Sequence, residues 1–478
     1  MLIREVRVIQ PATLALAGGL VGMGLIAAAA RFDDAAPLAL LVISLLPILF
    51  AGILANPHLG VLAVFATFPM GSVVLPTPGV SLGLAEAAVL TVAGLIVIRR
   101  LAAGDTPLPW SPSLWWALAV FCWMLVALPS AVDEQLALKQ IALWAGGMIF
   151  TIVVMASCPT MADVRRVIGG FLFFVTLLAA VGLSSAETFQ AEYEATRVSG
   201  RLTGAFDHPN QLGAVCSLSF VLAVGLTLGA RTTWARLAAA AAIPLLLGGL
   251  ALSLTRGAWI GTLLAMAYLA VTLPQARRAI AAICIPLAVL AALLWPTLEN
   301  NPQLQVVQQR FQAIATPSPY DERPQIWAEA MREIQADPWT GQGPGGFPVA
   351  SARSDAGAIR VFAYHAHNVL LTWGAESGLP AVCFLIALGV GIALEARRGG
   401  RAAAERGSLQ DRAIIAGLVA SLIAMVGQGA VDFTWRNSIV FLAICGVLGA
   451  LLAATSIQRR TADAERHHKV TTQRPVGS

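Results

Sequence analysis

Charge is scarce in this chain. Only 12% of its 478 residues are Asp, Glu, Lys or Arg, against about a quarter in a soluble domain. Cysteine is scarce too: six residues, each in or beside an apolar stretch, so neither a disulfide framework nor a thiolate metal site is expected. Catalytic signatures are also absent. A Walker A sequence is missing, which excludes ATP hydrolysis by that route. No H-E-x-x-H occurs, and no D-x-D of the kind that holds a divalent metal against a sugar diphosphate; Glu192-Tyr193-Glu194 is a weak substitute. No segment of 20 to 50 residues repeats.

Apolar sequence fills the space that charge leaves, at 57% of the chain. It comes in runs of 17 to 25 residues, each able to cross a hydrocarbon core of roughly 30 Å. They begin near Pro11, Ala35, Leu59, Val80, Ser113, Leu138, Val167, Gln211, Leu237, Gly257, Ala279, Asn368, Ala413 and Asn437. The fold class is therefore all-α and polytopic, with 12 to 14 transmembrane helices. Twenty of the 31 Lys and Arg gather at alternate span ends, from Arg4/Arg7 to the cluster at 459–474. The positive-inside rule then puts both termini of this multi-pass protein in the cytoplasm. The net charge of +5 is this loop asymmetry and not a nucleic-acid footprint.

With that orientation, residues 1–295 form the first part of the bundle and 368–457 its last spans, followed by a disordered cytoplasmic tail at 458–478. Between the two membrane parts lies a long periplasmic segment, 296–367, with short helices expected over 303–315 and 324–336. In the second of these, Ile326, Trp327, Ala330, Met331 and Ile334 form an apolar stripe at helical spacing. Gly341, Gly343, Gly345 and Gly346 lack a preceding strand and read as turns. The cytoplasmic loops are too short to house an enzyme, so chemistry is expected outside.

Several polar residues stand at outer span ends. Arg201 precedes a span in a segment that also holds His208 and Asn210, and Arg256 occupies a hairpin with almost no loop. A guanidinium between two apolar spans either snorkels to the interface or meets an anion, and arginine suits bidentate phosphate recognition. His365, His367 and Asn368 lie where the long segment enters its following helix. A neutral imidazole there can accept a proton from a hydroxyl, as a general base must; equally, it can cap the helix. His208 reads as a brace for its loop. Glu376, nine residues beyond His367 and so about 13 Å deeper, reads as a buried partner for a basic group. Asp432 and Arg436 flank the last outer turn, where they can pair with each other.

Taken in order, these pieces resemble the O-antigen ligase and O-antigen polymerase family of bacterial envelopes. The resemblance is carried by Arg201-Leu-Thr-Gly-Ala-Phe206 with His208-Pro-Asn210, Thr255-Arg-Gly-Ala-Trp259, Arg323 with Trp327, Gly341-x-Gly343 with Gly346-Phe347, and His367-Asn368 leading to Glu376-x-Gly378. It spans about 201–380. It implies a membrane-embedded glycosyltransferase that takes a glycan from undecaprenyl diphosphate at the periplasmic face, without metal or cofactor. Arg201 and Arg256 are implied at the diphosphate and His367 in catalysis, with His365 as the competing histidine. His208, Asn210, Arg323, Asn368 and Glu376 are possible supports. The acceptor is the lipid A core for a ligase, a growing glycan for a polymerase, or a Ser or Thr hydroxyl for a protein O-glycosyltransferase. A polytopic transporter is the reading from another class.

Overall fold

A computed structural model describes residues 48–70, 74–75, 82–104, 108–184, 201–278 apart from 205 and 207, scattered positions from 280 to 293, 322–353 and 365–472. The expected span near Pro11, most of those near Ala35 and Ala279, the 303–315 helix and Glu192-Tyr193-Glu194 lie outside these residues.

The described chain is helical apart from a two-residue antiparallel ribbon, β1 (Val74–Leu75) with β2 (Leu82–Gly83). Its helices are α1 (His58–Ala66), α2 (Leu84–Ala103), α3 (Leu114–Ala127), α4 (Glu134–Ser157), α5 (Met161–Ser184), α6 (Pro209–Gly229), α7 (Thr233–Leu252), α8 (Arg256–Thr272), α9 (Arg323–Ala336), α10 (Phe347–Arg353), α11 (Val369–Glu405), α12 (Leu409–Gly429) and α13 (Ser438–Thr472). Seven of them, α4 to α7 and α11 to α13, are long and apolar enough to cross a membrane. The protein is an all-α, multi-pass membrane protein.

The centre of the bundle is α6, 89% of whose most apolar stretch is buried. Enclosed by α5, α7, α8 and α12, it has no polar face to present and reads as apolar all round. Its closest approach is to α12 at Gly225 and Gly417, where a Cβ on Gly225 would lie 2.5 Å from the Gly417 Cα. Small residues permit such backbone contact, which substitutes for a hydrophobic driving force inside lipid. α6 and α12 run the depth of the bundle. Asp411 in the first turn of α12 and Asp432 just past its end are 21 residues apart, roughly 31 Å of helix.

Three features of the fold differ from the sequence reading. In α9 the buried face is Ile326, Glu329, Ala330, Glu333 and Ile334, while Trp327 and Met331 are exposed. The helix is rotated because Ile334 packs under Gly374 of α11, a contact no local pattern encodes. The tail does not begin at Gln458: α13 continues to Thr472. Its extension pairs with the end of α11, through Arg406 Nε to Glu465 at 3.1 Å and Arg466 to Glu405 at 2.7 Å. The long span α11 is also kinked. Gly378 has φ 75°, a conformation open to glycine, and the Trp339 carbonyl oxygen occupies the space a Cβ would need.

That kink anchors the glycine-rich segment. Gln342 N–H donates to Ala375 O (2.8 Å), Leu379 N–H to Pro338 O (2.8 Å), and Val132 N–H to Gln342 O (3.1 Å). The turns expected at 341–346 are therefore a plug between α11 and the α3–α4 junction.

Candidate active site

At one end of the bundle the starts of α6, α8, α9 and α11 meet the turn between α12 and α13. Each brings a polar residue for a local reason. His208 is the N-cap of α6, its Nδ1 accepting the Asn210 N–H at 3.1 Å, and Pro209 follows as the first turn allows. Asn368 caps α11, its Oδ1 accepting from the N–H groups of Leu370 (2.9 Å) and Leu371 (3.1 Å). The Asn368 side chain also donates to Ala430 O at 2.9 Å, which ties the start of α11 to the end of α12.

The central pair of the cluster joins residues 65 apart. His367 Nδ1 lies 2.9 Å from Asp432 Oδ1, which also accepts the Phe433 N–H at 2.9 Å. With a carboxylate accepting, Nδ1 carries the proton and the Nε2 lone pair is left to act. Asp432 is buried, and its Oδ2 has no hydrogen-bond partner among the described residues. Burial alone would raise the Asp432 pKa. The His367 hydrogen bond and the charges of His365, His367 and Arg323 outweigh it and hold the group down at about 2. His367 sits at φ 48°, a left-handed conformation that a non-glycine residue adopts at a cost on the order of 1–3 kcal/mol.

His365 lies against its neighbour, ring centroids 4.3 Å apart, and its Nδ1 accepts the His367 backbone N–H at 3.2 Å. Burial first, then the nearby His367, lowers its pKa to about 3. His208 is also lowered, by burial and then by Arg201. The same fields connect His208 with His367 and Asp432, so the 201–210 and 365–368 segments share one electrostatic site.

Arg201 is firmly held. Its Nε donates to Ser253 O at 2.9 Å, and one terminal nitrogen donates to Asn210 Oδ1 (2.6 Å) and Thr255 Oγ1 (3.2 Å). These bonds fasten the segment before α6 to the α7–α8 hairpin. That hairpin is itself strained, with Leu254 at φ 51°, and it places Arg256, partly buried, as the first residue of α8.

The expected pairing of Asp432 with Arg436 is not formed. Asp432 faces His367, and Arg436 forms an ion pair with Glu376. The side chains diverge because the Asn437 Oδ1, accepting from Ile439 and Val440, starts α13 immediately after Arg436. Glu376 is thus the buried partner of a basic group, and it also accepts the Gly345 N–H at 3.1 Å. Arg323 opens α9 and acts on Asp432 through its charge. The structure therefore gathers His208, Asn210, Arg201, His365, His367 and Asn368 about one centre, and Glu376 braces it from below. Sequence reasoning missed the Asp432 contact to His367 and the bracing by Ser253 and Thr255. An Asp in a short turn between apolar spans is a visible signal, but its partner is not.

His365, His367 and Asp432 each offer a ligand atom, all within 4.8 Å of one another, so the trio has the donor set to take a divalent metal ion. Its other use is as a hydrogen-bonded base. Beside the cluster, an apolar cavity of about 690 Å³ runs down between α11, α12 and α13, from Asn368 and Trp435 to Ala396 and Leu451.

The fold and this cluster define a multi-pass membrane protein with a basic and imidazole site at one end of its helices. The family model described as O-antigen ligase matches residues 241–386. That stretch is similar to the family, and the match supports a function of the O-antigen ligase/polymerase type. No curated protein matches the chain. The matched stretch contains Arg256, Arg323, His365, His367 and Glu376. Arg201, His208, Asn210, Asp432 and Arg436 lie outside it and join the site only in three dimensions.

Proposed function

We propose that the protein is an O-antigen ligase, moving a glycan from undecaprenyl diphosphate to the lipid A core at the periplasmic face without a metal. The observation that carries the reading is the His367–Asp432 pair at 2.9 Å beside the Arg201-braced hairpin that bears Arg256. Asp432 orients the ring, and His367 Nε2 takes the proton of the acceptor hydroxyl as its oxygen attacks the anomeric carbon. The bond from that carbon to the diphosphate oxygen breaks, and the electron pair leaves with the diphosphate. A single displacement of this kind inverts the anomeric centre.

The leaving group gathers negative charge, which oriented cations in a water-poor site stabilise. Arg256 is assigned to contact it. Arg201, with its donors largely committed to the protein, adds positive charge and fixes the hairpin. His365 is the weaker candidate base, since its Nδ1 already accepts a backbone N–H and its burial suits a spacer. The apolar cavity beside Asn368 suits a lipid-linked substrate whose hydrocarbon enters from the side. The distribution of basic residues supports cytoplasmic termini and a site on the opposite face.

A transfer assay with purified protein, undecaprenyl-diphosphate glycan and lipid A core, in EDTA, tests the proposal. Core-linked product of inverted configuration supports it. Longer carrier-linked chains without core-linked product would assign a polymerase of the same family. A glycosyl-enzyme intermediate, or a product that keeps the donor's configuration, would remove the single displacement. Full activity in Arg256→Lys would remove bidentate diphosphate recognition.

A further inference from the structure

The end of the bundle opposite the candidate site holds a second cavity. It measures about 580 Å³ and lies between α5 and α7, over Leu226 of α6. Its walls are apolar along most of their length, and they come from one face of each helix. On α5 the lining descends through Gly169, Leu172 and Thr176 to Ala180; on α7 it is made of alanines, among them Ala235, Ala238 and Ala241. The missing side-chain volume on α7 is what hollows the groove. From Arg165 to Ala180 the groove follows 15 residues of helix, roughly 22 Å. That exceeds half of a roughly 30 Å hydrocarbon core, enough for one whole acyl chain.

Its mouth is charged. Arg165 and Arg231 both line it. Arg165 pairs with Asp411 and donates to Met161 O at 3.1 Å, while its Nε is buried without a hydrogen-bond partner among the described residues. Arg231 stands 3.8 Å from the same Asp411 with its side chain 62% exposed. One carboxylate thus faces two guanidinium groups. Neighbouring charges do not change this balance, because Arg166 is paired with Asp163 at 2.7 Å and Asp411 is further occupied by the Gln458 amide at 3.0 Å. The mouth keeps a net positive charge, above an apolar slot between α5 and α7.

We infer that this groove is a binding site for an anionic phospholipid of the leaflet opposite the candidate active site, its phosphate on Arg231 and Arg165 and one acyl chain along the alanine face of α7. A bare apolar furrow would be filled by any lipid; two arginines on one aspartate select a phosphate without a compensating cation. The site would tie α5, α6 and α7 together at the end where Arg165, Asp411 and Gln458 already join α5, α12 and α13. It does not depend on the transferase chemistry.

The test is native mass spectrometry of the detergent-purified full chain, titrated with phosphatidylglycerol or phosphatidylcholine. The wild type should hold one phosphatidylglycerol at least about tenfold more tightly than the zwitterionic lipid. Arg231→Ala, at an exposed position, should remove most of that preference, and Arg231→Lys should keep part of it. Ala238→Leu with Ala241→Leu, both on the exposed wall, should weaken both lipids by filling the slot. His367→Ala should bind lipid as the wild type does, so failure of the active-site proposal would leave this one standing. Equal affinity for the two lipids would overturn the inference. So would unchanged binding in the Arg231 and alanine variants, or cross-linking of a cysteine at position 238 to residues 1–47, which would make the chain its own occupant.

Discussion

Two charged networks sit at the two ends of α12, and they are built on different terms. At the first turn, Asp411 accepts from Gln458 at 3.0 Å, pairs with Arg165 and stands near Arg231. Around it Ser408 caps α12 at 3.3 Å and Arg406 holds Gln458 at 3.0 Å. None of these residues has a positive φ. At the far end, Asp432 keeps one buried oxygen without a hydrogen-bond partner among the described residues, and two non-glycine residues nearby, Leu254 and His367, have positive φ. The first network spends its carboxylate on joining helices. The second leaves polar capacity and strain in place, which persist only where the surroundings over-determine them. Strained backbone, an underused carboxylate and converging imidazoles together are why we propose the second end as the place for chemistry.

Mutations can break this comparison. The largest effect is expected from His367→Ala, which should abolish glycan transfer, at least about a hundredfold given what general bases contribute, while donor binding persists. An active His367→Ala enzyme would make the second network structural as well. Next is Asp432→Asn, expected to lower turnover by about tenfold to a hundredfold with little change in expression. The Asn side chain can still hydrogen-bond the ring but cannot stabilise its cation, so the acid limb of the pH–rate profile should change; loss of folding instead would equate the two ends.

At the other end the prediction has the opposite character. Asp411→Ala strands Arg165, a side chain only 13% exposed, and breaking a buried pair in this way costs about 3–5 kcal/mol. Thermal unfolding in detergent should show a clear drop, while turnover per folded molecule stays near wild type. A selective loss of turnover would mean that the two ends are coupled through α12.

The smallest effect concerns Glu333, buried on α9 with neither carboxylate oxygen hydrogen-bonded within the described residues. Burial, then Glu329, raises its pKa from 4.5 to about 8. The folded state therefore holds this proton more tightly than the unfolded chain does. Its favourable contribution is full below about pH 4.5 and is lost as pH rises through about 8. Limited proteolysis of the 322–353 segment should accelerate across that window in the wild type. Glu333→Gln should flatten the dependence; an unchanged profile would place the proton elsewhere.

Most of this molecule's helices can be read from the chain, and the reason is local. Apolar length is a property of consecutive residues, so runs beginning near Leu138, Val167, Gln211 and Leu237 fall on α4 to α7. The seats of the candidate site residues were legible for a similar reason. Span ends are where polar residues belong, and Arg201, Arg256, His365 and His367 all stand at them. The exposed face of α9 and the onward run of α13 were not legible. Each is decided by a partner, Gly374 in one case and the Arg406–Glu405 end of α11 in the other. The same limit hid the partner of Asp432. Arg436, four residues away, is the local choice, yet His367, 65 residues away, is the one that meets it.

The sequence by itself determined that the chain lives in lipid, that it is helical and multi-pass, and that a few costly polar groups wait at the span ends. Composition and run length suffice for that, because the bilayer judges each segment separately. Only the tertiary structure decided the pairings: Asp432 to His367, Arg436 to Glu376, Arg201 to the 253–255 turn, and Asp411 to Arg165. An ion pair depends on distance and burial between residues far apart in the chain, and those are set when α6, α8, α11 and α12 pack together.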